Sequence, residues 1–503
     1  MTEIVDRRGF IKRSAATAGG AVVATSALQR LTEHAALAAP GNDNGRGNNG
    51  RGKGRGRARR QQMEQSPGYG QLQRMRDQRG VEALALPAGF SYVTFGWTGS
   101  PLKSEPGVHA RSHDGMGSFA GPGGTTRLIR NHELRTRAGD TALGVPPNGI
   151  NKYDPLANGG CITIDFDAGR RESLREFASI AGTHVNCAGG VAYGAAGWLT
   201  CEETVADTRQ GYGQKHGYPF FVPATGDGKQ RNPQPLRAMG RFAHEAVAVD
   251  PGTGVVYETE DAGNDSGFYR FIPADRANLV AGGTLQMLAV KNAPNYDTIR
   301  NQQLGAKLKV EWVTIPNPDP DLTTYGTSVF DQGADGGGAR FNRLEGIWWD
   351  QARQSTFFNS TSGGNAGYGQ VWEYVPGKNG NQGGDLYLRF ESPGWTVLDS
   401  PDNLNVTPRG AILLCEDEAT GGDNEFHPLA PYLENVNRLI GLDAASRPFE
   451  FAVNILNDSE FAGACWSPDG QVLFVNIFGE GTPNSGMTCA IYPPASGWGS
   501  GLL

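Results

Sequence analysis

One arrangement of apolar and polar positions recurs along this chain. A short apolar strand opens on an acidic or small residue and turns at Gly, Pro or Asp. It returns as a second apolar strand that ends on acidic or polar residues. The unit is written as HEAVAVDPGTGVVYETED (His244 to Asp261) and EGIWWDQARQSTFFNSTSGG (Glu345 to Gly364). It returns as DNLNVTPRGAILLCEDE (Asp402 to Glu418) and EFAGACWSPDGQVLFVNI (Glu460 to Ile477). Two looser copies lie upstream, HDGMGSFAGPGGTTRLIRNHE from His113 and NCAGGVAYGAAGWLTCEET from Asn186. The turns DPGTG and SPDG carry the residues that hairpin connections require. Further strands follow at similar intervals: YPFFVPA, GFYRFIP, GQVWEYVP, NRLIGLDA and TCAIYP. Four short strands per unit, six times over, predict an all-β fold, a six-bladed β-propeller with loop insertions. The third unit is the longest and leaves room for a further blade or subdomain.

In a propeller the first strand of each blade lines the central channel, so its start lies at one mouth. The residues opening the six units are Asp114, Asn186 with Cys187, Glu245, Glu345, Asp402 and Glu460. Antiparallel pairing sets the end of each second strand beside the start of the first. Those ends supply Glu133, Cys201 with Glu202, Glu260 with Asp261, and Cys415 with Glu416. Acids gathered so closely repel one another by several kcal/mol at low effective dielectric, about 4 kcal/mol per close pair, unless cations intervene. Carboxylates suit hard ions such as calcium, magnesium, manganese or ferric iron, and a thiolate pulls the choice towards a transition metal. Arg343, two residues before Glu345, points to the same side of an extended segment. Its guanidinium fork suits phosphate oxygens. Asn131 and His132 precede Glu133. There is no GxSxG elbow, no Walker loop and no HExxH, and the eight histidines are not ligand-spaced.

The N-terminus changes the picture of charge and location. DRRGFIKRS (Asp6 to Ser14), an apolar run rich in Ala and Gly, and Ala36-Leu37-Ala38 predict a twin-arginine signal peptide over residues 1–38. The run is too short to span a bilayer. Residues 39–66 read as a disordered basic linker of Gly, Arg and Asn. Removing a net charge of +2 for the leader and +6 for the stretch Gly41 to Gln62 from the chain's −7 leaves −15 on the remainder. An acidic body argues against nucleic acid as a partner and fits one that spends carboxylates on cations. The six cysteines of an exported chain are compatible with disulfides or with metal ligation. The expectation is a secreted or periplasmic monomer, handled by the twin-arginine translocase and not inserted in a membrane.

The chain resembles the PhoX-type alkaline phosphatases from about residue 80 to 492. The motifs are HDGMGSF, NHE, AGTHVNCAGG, GWLTCEE, HEAVAVDP, a YETED followed by GFYRFIP, FNRLEG, SPDNL and SEFAGACWSPDGQVLFVNI, in that order. The resemblance implies that residues 67–503 form a six-bladed metallophosphatase-like propeller. An iron–calcium cluster, with ferric iron, would sit at its channel mouth and hydrolyse phosphate monoesters. By position, Cys201 would be the iron-ligating thiolate. Glu133, Glu245, Glu345, Asp402 and Glu460 would share the ions, with Asp114, Glu202, Glu260 and Glu416 as further candidate ligands. Arg343 and Asn131 would hold the phosphate. The C-terminal stretch NIFGEGTPNSGMTCAIYPPASGWG departs from the family pattern. Two other functions fit the same residues: a non-catalytic propeller stiffened by calcium, and a calcium-dependent phosphodiesterase or lactonase-like hydrolase.

Overall fold

The computed structural model describes residues 64–324, 326–378, 383–417, 426–479, 481–499 and 502–503. The expected signal peptide, and the expected linker up to residue 63, lie outside these residues. Ser66 already belongs to the fold, its amide donating to the Pro448 carbonyl at 3.0 Å. One unit comprises residues 63–322 and 326–503; residues 1–62 and 323–325 are grouped as a second.

The first of these units is built of antiparallel strands and short 3-10 turns, with one α-helix, Val329–Asp335, among the described residues. Six strands begin its sheets: His113–Ala120, Asn186–Val191, His244–Val249, Leu344–Asp350, Pro401–Val406 and Phe461–Trp466. Each packs against the next, and the last packs against the first, so they close a ring. From each inner strand the chain steps outward through antiparallel neighbours, the pattern of a propeller. The last sheet is completed by Ser91–Phe95, which pairs with Met487–Tyr492 and ties the two ends of the domain together.

The hydrogen-bonded sheets number five. The sets that start at His244 and Leu344 are fused into one nine-stranded sheet, because Lys307–Thr314 pairs with both Gly283–Val290 and Gly384–Glu391. That strand accounts for the excess length of the third unit. The set that starts at Pro401 is widened to six strands by Leu84–Pro87 and Leu72–Met75. Apolar clusters fill the spaces between sheets; one joins Tyr257, Phe268 and Val310 to Ile347, Phe358 and Trp372.

The ring is tight because small residues line it. A Cβ on Gly346 would lie 2.5 Å from the Leu404 amide of the adjacent inner strand. Gly463 combines a φ of +61° with a Cβ position 2.5 Å from the Asp114 carbonyl oxygen. Side chains are excluded at both positions.

Candidate metal and phosphate site

All six inner strands carry a β-bulge at the same end. His113 pairs with His132 and Met116 with Arg130, so Asp114 and Gly115 together face Asn131. The same slip brackets Cys187 and Ala188, Glu245 and Ala246, Glu345 and Gly346, Asp402 and Asn403, and Gly463 and Ala464. A bulge adds a residue and re-aims a side chain. Here it turns Asp114, Cys187, Glu245, Glu345 and Asp402 to one mouth of the ring, while the sixth strand offers only Gly463. Four inner strands are entered through a residue in the left-handed region: Ser112, Val185, Arg343 and Ser400, at φ of 56°, 50°, 46° and 43°. For the β-branched Val185 this conformation is costly, on the order of 1–3 kcal/mol, a form of strain that gathers at functional sites.

The re-aimed residues form four overlapping triads, each offering one ligand atom within 4.8 Å of the others. They are Asp114–Glu133–Cys187, Cys187–Glu203–Glu245, Glu245–Glu345–Asp402 and Asp402–Asp417–Glu460. Shared members make them one continuous ridge. Its centre is wholly buried: Cys187, Glu245 and Glu345 are 0% exposed. The Cys187 thiol donates to Asp114 Oδ2 at 3.4 Å and to Glu245 Oε1 at 3.2 Å.

Electrostatics test whether the ridge suits cations. Burial, then the charges of Glu345, Asp402, Glu203 and Asp114, pushes the Glu245 carboxyl well above its ordinary range. Burial, with Asp261 and Asp402, does the same for Glu345 against the opposing pull of Arg343. The Cys187 thiol is held far above its usual value by burial and by Asp114, Glu245, Glu203 and Glu133. One oxygen of each glutamate, Glu245 Oε2 and Glu345 Oε2, is buried without a hydrogen-bond partner. Buried polar atoms are ordinarily satisfied. A buried set of hard oxygens and one thiol, with oxygens left over, fits multivalent ions.

Two guanidinium groups stand over the ridge. Arg343 is bidentate to Asp261, with Nε and Nη2 donating at 3.0 Å each, and Nη2 also reaches Glu345 Oε1 at 2.7 Å. Arg135 lies between Glu133, at 2.6 Å, and Glu203. Their side chains are 21% and 28% exposed, so both heads reach solvent.

Several expected residues are placed elsewhere. Cys201 faces the Asn186 strand's bulge from the second strand, within an apolar cluster containing Leu199, Val247, Val256, Tyr269 and Met287. It is Cys187 that meets the acids. The position opposite a bulge is held by Asn131, Cys201, Thr259, Asn359 and Cys415 in turn, so the recurring thiol beside carboxylates marks a packing position. Asn131 is not turned to the mouth. Its amide donates to the carbonyls of Cys187 at 3.0 Å and Ala188 at 2.7 Å, and its oxygen accepts from Trp198 and Cys161. It anchors the backbone that presents Cys187, as Asn359 does for Pro401 and Asp402. All six cysteines are buried and free.

Glu202, Glu260 and Glu416 lie outside the triads and are saturated by protein donors. Glu416 is bidentate to Arg438, at 2.6 and 2.8 Å. Glu260 accepts from the Tyr269 hydroxyl at 2.5 Å and the Gly267 amide at 3.1 Å. Glu202 takes the amides of His184 and Gly217 and sits 2.7 Å from His216 Nδ1, while His216 Nε2 lies 3.3 Å from Asp154. Burial pulls the His216 pKa down, but Glu202 and Asp154 outweigh it and lift it to about 9. A raised histidine stabilises the fold fully below about 6.5, its unfolded value, and loses that contribution as pH rises through 9. His216→Gln is therefore expected to cost about 3 kcal/mol near pH 6, with the gap to wild type narrowing by pH 10. Thermal melts of both proteins at the two pH values check this.

Arg135 was not singled out by sequence, whereas Glu203 and Asp417 entered the reading only as acids of the cysteine–carboxylate stretches GWLTCEET and GAILLCEDEAT. Glu203 is the neighbour of Glu202 in a strand end, where alternate residues face opposite ways.

The sequence model of the alkaline phosphatase PhoX family matches residues 67–481. Among solved structures, the Pseudomonas fluorescens PhoX complex with vanadate, a transition-state analogue, superposes with a TM-score of 0.62 at 18% identity. The match covers 82% of this chain and 97% of that one. A putative 6-phosphogluconolactonase from Bacteroides uniformis reaches a TM-score of 0.33 at 12% identity, over 69% of this chain and 86% of its own. The periplasmic gluconolactonase of Pseudomonas aeruginosa reaches 0.32 at 12% identity, over 77% and 96%. No curated protein sequence matches the chain. With the family's sequence model matching four-fifths of its length, the chain belongs to the alkaline phosphatase PhoX family.

Proposed function

We propose that this phosphatase hydrolyses phosphate monoesters over metal ions held along the ridge from Glu133 to Glu460. The observation that carries the reading is the set of four triads sharing Cys187, Glu245 and Asp402, buried and with carboxylate oxygens left unsatisfied. Cys187, with Asp114, Glu133, Glu203 and Glu245, makes the softer half and suits ferric iron. Glu345, Asp402, Asp417 and Glu460 make an all-oxygen half that suits calcium. When bound, such ions would supply Lewis-acid polarisation of the phosphoryl group and activation of water. Arg343, aligned by Asp261, is positioned to take phosphate oxygens in a forked grip. Asn131 holds the Cys187 backbone rather than the substrate.

The closed ring of six inner strands supports a six-bladed count, with the nine-stranded sheet read as two blades bridged by Lys307–Thr314. Export by the twin-arginine route rests on DRRGFIKRS. Among the described residues no helix is long and apolar enough to cross a membrane. A monomeric state is part of the same reading.

The test is phosphate release from p-nitrophenyl phosphate by protein isolated with its ions. Turnover that a chelator abolishes and added metal restores supports the reading. Calcium-loaded protein that turns over no phosphomonoester contradicts it.

A further inference from the structure

We propose that the far mouth of the ring binds a neutral oligosaccharide, in an aromatic groove separate from the acid ridge. The inference goes beyond the phosphatase reading and does not depend on it. The acids sit where the inner strands begin, whereas Val191, Val249, Asp350, Val406 and Trp466 are the last residues of five of them. All five line two adjoining cavities of about 370 and 440 Å³, which share Val191, Trp348 and Trp349. A third cavity of about 400 Å³ meets the first at Ala192 and Tyr193. Each is of the size that holds a small ligand, about 300–1,000 Å³. Side by side they suit an extended one. Between the two mouths the bore narrows to about 20 Å³ among Gly115, Gly189, Gly346 and Gly463, room for little more than one water. A ligand at the far mouth therefore does not reach the acids.

The lining sets the chemistry of the occupant. The joints between cavities are aromatic, with Trp348 and Trp349 at one and Tyr193 at the other. Each of these rings is half-buried and packed against a core cluster. Flat apolar surfaces fixed in this way stack on the C–H faces of sugar rings. Charge is nearly absent: among the described residues, only Asp350 and Arg276 bring it to the three cavities. Asp350 is engaged by Arg353 and by the amides of Ala352 and Arg353. Arg276 holds its guanidinium 4.6 Å from the Tyr193 ring centroid. A charged ligand finds no counter-charge here to replace its hydration. The other polar side chains are amides and hydroxyls, among them Gln230 and Asn232 in one cavity and Ser118 and Gln351 in another. Two side chains that line the 440 Å³ cavity are buried with a polar atom unpartnered, the acceptor Asn405 Oδ1 and the donor Trp466 Nε1. A purely apolar occupant leaves both unsatisfied. A sugar hydroxyl donates one hydrogen bond and accepts others, so a hydroxyl-rich ring serves both.

The test titrates full-length protein with maltohexaose, cellohexaose, laminarihexaose and chitohexaose, following heat and tryptophan fluorescence. At least one of the four is expected to bind saturably and to shift the emission. Trp349→Ala should weaken that sugar at least about tenfold, and Trp349→Phe should recover part of the loss. Tyr193→Ala, at the other joint, should weaken the same sugar and carries the test if Trp349→Ala does not fold. Phosphate release should be unchanged in every variant that melts like wild type. No binding of any of the four sugars, equal binding by all variants, or tighter binding of the acidic hexamer of galacturonic acid would overturn the proposal. So would phosphate release lost in step with sugar binding. Self-association that Trp349→Ala abolishes while no sugar binds would also overturn it, assigning the groove to a second copy of the chain.

Discussion

Cys187→Ser is expected to lower phosphate release by at least about 100-fold, whereas Cys201→Ala keeps turnover within about threefold. The first figure follows from ligand chemistry. Residues that merely orient a ligand are worth 10–100-fold, and Cys187 itself is shared by two triads. Serine keeps the shape but removes the soft donor, and its hydroxyl is far harder to deprotonate than a thiol. Cys201 shares none of those triads. Its loss opens a small void among Leu199, Val256 and Met287 and costs about 1 kcal/mol, seen as a modest fall in Tm. Initial rates and melting curves of the two variants, with metal content measured alongside, decide between the two cysteines.

Stripping the ions is expected to make stability fall with pH. In metal-free protein the carboxyls of Glu245 and Glu345 sit well above their ordinary range, because burial and mutual repulsion favour their neutral forms. A raised acid pKa means that the folded state holds protons which the unfolded state releases near 4.5. Stability is therefore greatest at or below that pH and declines as pH rises towards the folded values. Each tenfold gain in proton affinity on folding is worth about 1.4 kcal/mol, so both groups take stability away as pH rises. Ions that pair with the carboxylates remove the penalty and add their own binding free energy. Melting temperatures from pH 5 to 9 should fall steadily in chelator and stay nearly level with metal present. Parallel curves would mean that the acids are not held against one another.

The ring was legible in the sequence because it repeats. Apolar alternation, the DPGTG and SPDG turns and an acid opening five of the six units place strands, hairpins and the acid-lined mouth together. Asp114, Glu245, Glu345 and Asp402 could be read directly, since each opens an inner strand. The thiol was misplaced for a physical reason. A period of two locates side chains only while pairing is regular, and the bulge inserts one unpaired residue at the decisive point. Cys187 and Cys201 lie across that bulge from each other; one faces the mouth and the other the neighbouring sheet. The same parity separates Glu203 from Glu202. Asn131 carries the right chemistry for phosphate, but its amide is committed to the next strand's carbonyls, a tertiary contact that no local pattern reveals. Arg135 follows the strand end, beyond any periodicity. The strand Lys307–Thr314 fuses two sheets, a pairing between distant segments that left the third unit's length unexplained.

The central claim is that acids and one thiol, distributed from Glu133 to Glu460, hold multivalent ions at one mouth of the ring. Elemental analysis of protein isolated by its native export route, paired with Glu245→Gln, tests it most directly. The account predicts iron and calcium in stoichiometric amounts in wild type, and loss of iron with loss of turnover in the variant. Metal-free wild-type protein that hydrolyses phosphomonoesters at full rate would contradict it.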